Sequence, residues 1–179
     1  MFNFFKKRRL KSLLKKNNRK HAFLDLDSIH SIIILFETSD YETVDSFVEE
    51  LQSIGKSVKG YAFRTKKDIY DYSETNYTIV SSKENSNKSG MPSDELLEQI
   101  KSTHYDAAID LTIKENLSLE YILAVANVTM AIGLKKNTLP LYDLSISKLP
   151  KGNPLDELIK SILHYLKTIK GERQTANGE

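Results

Sequence analysis

Residues 104–134 read HYDAAIDLTIKENLSLEYILAVANVTMAIGL, and the way their character alternates decides the fold. Ala107 to Thr112 is an apolar run of strand length, closed by the polar turn Lys114-Glu115-Asn116. An apolar helix follows from Leu117 to about Asn127, and Thr129 to Leu134 returns to strand character. Strand, helix, strand is one βαβ unit, and strands that are apolar on both faces belong to a parallel sheet covered by helices on both sides.

The same alternation extends upstream. Ser31 to Phe36, SIIILF, is β-branched and apolar throughout, as a central strand is. Either Ser39 or Asp40 can cap the next helix, whose apolar face is Val44, Phe47, Val48, Leu51 and Ile54, with Gly55 as its stop. Val58 to Phe63 is a second strand, and Tyr77 to Ser81 a third and shorter one beyond the polar segment 64–76. Residues 81–93, SSKENSNKSGMPS, carry turn chemistry throughout and predict a loop with few buried contacts. Ser93 then caps a helix with Leu96, Leu97 and Ile100 on one face.

Downstream of Gly133, a basic turn leads to an alternating segment, Leu141 to Ile146, that reads as an edge strand. Asn153 followed by Pro154 opens a last helix with Leu155, Leu158, Ile159, Ile162, Leu163, Leu166 and Ile169 at helical spacing. The polar end, 171–179, reads as a disordered tail. The prediction is an α/β fold: a single open, mostly parallel sheet of five or six strands with helices on both faces, Rossmann-like, over residues 23–170. A basic amino-terminal helix in residues 1–22 stands outside it.

Composition excludes several chemistries. The 179 residues contain no cysteine, so disulfides and thiolate chemistry are absent. The four histidines, His21, His30, His104 and His164, have no metal-ligand spacing, and no metal is expected. No apolar run is long enough to span a bilayer, and no signal-peptide core follows the basic start, so the expected compartment is the cytoplasm. The first strand and its turn, SIIILFETSDYE, contain no glycine, and neither GxGxxG nor GxxxxGK[ST] occurs, so no nucleotide cofactor is expected. No GxSxG elbow is present either. Gly133, the only glycine near the βαβ unit, ends a strand or permits close packing.

The charge is divided unevenly. Residues 1–20 hold nine cations, Lys6, Lys7, Arg8, Arg9, Lys11, Lys15, Lys16, Arg19 and Lys20, and no acid, while the rest holds 17 basic and 24 acidic residues. On a helical wheel Phe2, Phe5, Leu10, Leu13 and Leu14 share one half and Phe4 lies outside it. Three readings fit such an arm. It lies on an anionic membrane at the inner surface of the cell, it follows a phosphate backbone in RNA or the ribosome, or it lays its apolar side chains on its own domain or on a protein partner.

In open parallel sheets ligands bind beyond the carboxyl ends of the strands. Glu37, Thr38 and Ser39 follow the first strand, Ser82 and Lys83 the third, and Asp110, Thr112 and Lys114 the fourth. Carboxylate, hydroxyls and ammonium there suit proton transfer or anion binding. Each also has a structural reading: Ser39 as a helix cap, Lys83 as a solvated loop residue, Asp110 as an acceptor for neighbouring amides.

Tyr105-Asp106-Ala-Ala-Ile-Asp110-Leu, the apolar helix and Ala131-Ile132-Gly133-Leu134 resemble a family of short, uncharacterised bacterial proteins with a basic arm and one Rossmann-like domain. The same layout is similar, in part, to the first domain of heptosyltransferase-type sugar transferases. The chain ends where those enzymes begin the second domain that holds the nucleotide sugar. The expected function is binding rather than catalysis, the arm attaching the protein to an anionic surface and the domain contacting a partner. The alternatives are a sugar-transferase-like enzyme or its non-catalytic remnant, using Asp110, and an RNA- or ribosome-associated protein.

Overall fold

Six parallel strands form one sheet in the computed structural model, which describes residues 2–65, 68, 71–73 and 75–169, with side chains from residue 4 onward. The expected disordered tail, 171–179, lies outside the described residues. The strands are β1 (Ser31–Glu37), β2 (Ser57–Phe63), β3 (Tyr77–Ile79), β4 (His104–Asp110), β5 (Asn127–Leu134) and β6 (Leu144–Ile146). Their order is β3-β2-β1-β4-β5-β6, the Rossmann order. The chain reverses its direction of travel across the sheet between β1 and β4, which pair from Ile32 with Ala107 to Leu35 with Asp110.

The helices are α1 (Phe2–Lys16), α2 (Tyr41–Ser53), α3 (Asp94–Ser102), α4 (Leu117–Val125) and α5 (Pro154–Thr168). Alternation along β1 divides the core: Ile32, Ile34 and Phe36 meet α2 and α5 on one face, and Ile33 and Leu35 meet α3 and α4 on the other. All are fully buried, as a doubly covered strand requires. Ser93 caps α3 through the Leu96 amide, and Asn153 caps α5 through those of Leu155 and Asp156.

Four local expectations are corrected. β4 stops at Asp110 rather than Thr112, because the Asp110 carboxylate accepts the Thr112 amide two residues on and turns the chain. The helix expected to start at a Ser39 or Asp40 cap is preceded by a 3-10 turn, Thr38–Asp40, and neither side chain caps it. The loop 81–93 is far from bare: Met91, Pro92 and Ser93 are buried, Ser86 bridges to Pro92, and backbone bonds join Asn87 to Met91 and Ser93 to Asn85. β3 and β6 each shrink to three residues at the sheet edges.

The amino-terminal helix is part of this architecture. Every residue of α4 from Ser118 to Ala124 is buried, because α4 lies between the sheet and α1. A helix apolar all round must be covered all round. Leu10 of α1 is wholly buried in the same core cluster, and Leu13 and Leu14 pack against it.

Candidate functional site

The carboxyl ends of β4 and β5 and the start of β6 close on a buried polar cluster. Asp110, the last residue of β4, has no exposed surface. Its Oδ1 accepts the Thr112 amide at 2.9 Å and the Thr112 hydroxyl at 2.6 Å. Its Oδ2 accepts the Lys136 ammonium and the Tyr142 hydroxyl, both at 2.7 Å. Four donors occupy the four lone-pair directions of a carboxylate, so Asp110 has no acceptor capacity left. Lys136, whose side chain is only 4% exposed, also donates to the Thr112 carbonyl at 3.2 Å and to its hydroxyl. Burial, and then the neighbouring Asp110 charge, push the Tyr142 phenol far up, which keeps it protonated as a donor. Gly133 lets the ring approach: a Cβ there would lie 2.5 Å from Tyr142 Cε1.

A second layer surrounds this cluster. Glu120 of α4 is 1% exposed; its Oε1 accepts the Asn137 amide at 3.0 Å, and its Oε2 has no partner among the described residues. Burial raises its carboxyl above the usual range, against the pull of Lys136. Asn116 caps α4 through the Leu119 amide and donates to Glu37 Oε1 at 2.9 Å, tying the start of α4 to the end of β1. Glu115 pairs with Lys7 of α1 at 2.9 Å, and that contact holds its carboxyl low. Among the described residues no group of three or more His, Asp or Glu side chains is arranged to hold a metal ion.

The structure separates the residues expected to share a crevice. Asp110 and Thr112 are joined directly. Lys114 is exposed and borders a shallow groove with Lys135 and Lys148. Thr38 is buried and accepts the Thr65 amide through its hydroxyl, while Ser39 is exposed beside it. Lys83 is exposed on the loop after β3, three places from β4 in the sheet, or about 14 Å at ordinary strand spacing. Sequence reasoning missed Lys136, Tyr142, Glu120 and Asn116. Of these Glu120 left a signal, as the one charge within LSLEYILAV, and so did Asn116, as a capping residue immediately before Leu117.

The basic arm presents a second surface. The Tyr121 hydroxyl donates to the Lys6 carbonyl at 2.7 Å, and Asn17 Nδ2 donates to the Ala124 and Ala126 carbonyls at the end of α4. Arg19 forms a half-buried ion pair with Asp143 at 2.8 Å and also reaches the Val128 and Thr129 carbonyls. His21 contacts the other Asp143 oxygen. Lys7 and Arg9 are paired with Glu115 and Asp94, and Lys6 donates to the Ser89 carbonyl. Arg8, Lys11, Lys15, Lys16 and Lys20 are exposed and make no ion pair among the described residues. Phe5 does not share the buried side with Leu10, as the helical wheel suggested. It is 62% exposed and meets Phe4, 70% exposed, edge to face at 6.0 Å. Phe2 opens α1, and its side chain lies outside the described residues.

The molecule is thus a doubly wound α/β protein with a saturated polar cluster at its strand ends and a basic helix built into one helical layer. It belongs to a family of unknown function, DUF6913, which matches residues 3–169 and so takes in the arm as well as the sheet. No curated protein and no solved structure gives a significant match to the chain, and the partial likeness to sugar transferases gains no support from these comparisons.

Proposed function

We propose that this protein attaches to an anionic membrane surface through the outward side of α1 and holds its α/β domain there. One observation carries the reading: α1 spends Leu10, Leu13 and Leu14 on α4, yet leaves Phe4, Phe5, Arg8 and, along the rims of the grooves beside it, Lys11, Lys15 and Lys16 exposed, the four cations without an ion pair among the described residues. Aromatic rings enter the lipid interface, and each Lys or Arg held near an anionic surface contributes about 1 kcal/mol. No helix among the described residues is long and apolar enough to cross a membrane, so the attachment is peripheral. The transferase alternative is less well supported, because a carboxylate saturated by four donors suits architecture better than proton transfer.

The test is co-sedimentation of the full-length protein with vesicles of phosphatidylglycerol or of phosphatidylcholine, beside Phe4→Ser/Phe5→Ser and Arg8→Glu/Lys16→Glu. Binding to the anionic vesicles alone, weakened by both variants and by salt, is the expected result. Removing residues 1–20 is a poor probe, since it uncovers α4 and leaves Asp143 without Arg19. Failure to sediment, or binding to RNA that the phenylalanine variant leaves intact, overturns the proposal.

A further inference from the structure

Two grooves of about 500 Å³ flank α1, one on each side, within the usual size of small-molecule sites. Their charge distinguishes them. The groove toward α3 mixes the acids Asp94 and Glu98 with cations, and the Arg9–Asp94 pair lies on its wall. The groove toward residues 138–141 has no acid among its described lining residues. Its floor is apolar: Leu123 and Leu141 belong to the core, and Leu14 and Leu139 are half-buried against them. Arg19 and His21 wall one end, both engaged by Asp143. Lys11 and Lys15, exposed and without an ion pair among the described residues, stand at the rim.

We infer that this groove holds a single-chain lipid with a phosphate headgroup, the chain on the leucine floor and the phosphate between Lys11 and Lys15. Two ammoniums four residues apart on one helix face are neighbours. Together they match a phosphomonoester of charge about −1.5 to −2 at pH 7 better than a single carboxylate. The inference deepens the membrane reading of α1: the same helix that meets the bilayer takes one lipid molecule from it, because Lys11 and Lys15 face both the groove and the outside.

The experiment is calorimetric titration of the full-length protein with dodecyl phosphate below its micellar concentration, with inorganic phosphate and dodecyltrimethylammonium as controls. Saturable one-to-one binding of dodecyl phosphate, at least tenfold tighter than either control, is expected. Thr138→Trp, at an exposed position lining the groove, should weaken binding at least tenfold and leave vesicle sedimentation and the urea midpoint unchanged. Lys11→Gln/Lys15→Gln should weaken it comparably. Equal binding of the cationic amphiphile, equal binding of free phosphate, or indifference to both variants overturns the inference. Vesicle binding without dodecyl phosphate binding removes the groove site and leaves the surface attachment. Dodecyl phosphate binding without vesicle binding removes the attachment and leaves the groove.

Discussion

Lys136→Met tests whether the strand-end cluster is architectural. Asp110 has no exposed surface and Lys136 is 4% exposed at the side chain, so water does not screen their 2.7 Å contact. The substitution keeps most of the lysine's apolar bulk. It leaves Asp110 with Thr112 and Tyr142 as donors and no ion-pair partner among the described residues. Removing one partner of a buried pair costs about 3–5 kcal/mol, because the remaining charge stays buried. With a urea slope of about 2 kcal/mol/M, that loss lowers the unfolding midpoint by about 1.5–2.5 M. Asp110→Asn/Lys136→Met removes both charges, and it should recover more than half of the loss, a coupling of at least about 2 kcal/mol. The assay is equilibrium urea unfolding at pH 7 followed by circular dichroism. A loss below about 1 kcal/mol for Lys136→Met, or strict additivity in the cycle, would refute the reasoning and reopen Asp110 as a functional group.

Three further outcomes follow from the packing. Glu120→Gln should raise stability at pH 7 and leave it unchanged near pH 4. The folded carboxyl titrates above its unfolded value, so the favourable protonated state is fully present below about 4.5 and is lost as pH rises through the folded value; unfolding midpoints across that range check it. Leu10→Ala should cost about 2–5 kcal/mol in urea unfolding if α1 unfolds together with the domain, since the side chain is wholly buried against α4. A negligible loss would mean that the helix detaches on its own. Gly133→Ala should cost about 1–3 kcal/mol, because the added methyl group meets the Tyr142 ring, and pairing it with Tyr142→Ala should relieve the clash.

The fold was legible because it rests on short-range pattern. Period-two and continuous apolar runs mark strands, caps such as Ser93 and Asn153 mark helix starts, and strand-helix alternation leaves little choice but a parallel sheet with helices on both faces. Edges were less legible. Leu141 does not extend β6 but joins the core near α1, and nothing in the alternation of 141–146 distinguishes those two uses.

The cluster at the strand ends was half visible. Asp110 and Thr112 stand two residues apart, whereas Lys136 and Tyr142 reach them from beyond β5, 24 to 32 positions on. Local spacing carries no information about such partners, since β4 and β5 become neighbours only when the sheet closes. The arm shows the same division. Its charge and amphipathic character are properties of residues 1–20 alone, and the sequence by itself determined them. Which side faces inward was decided by α4, whose outer surface needs cover, by Asn17 meeting that helix's last carbonyls, and by Arg19 finding Asp143. Those contacts turned Leu10 inward and Phe5 outward, because burial depends on what lies opposite a residue, and only the tertiary structure supplies that.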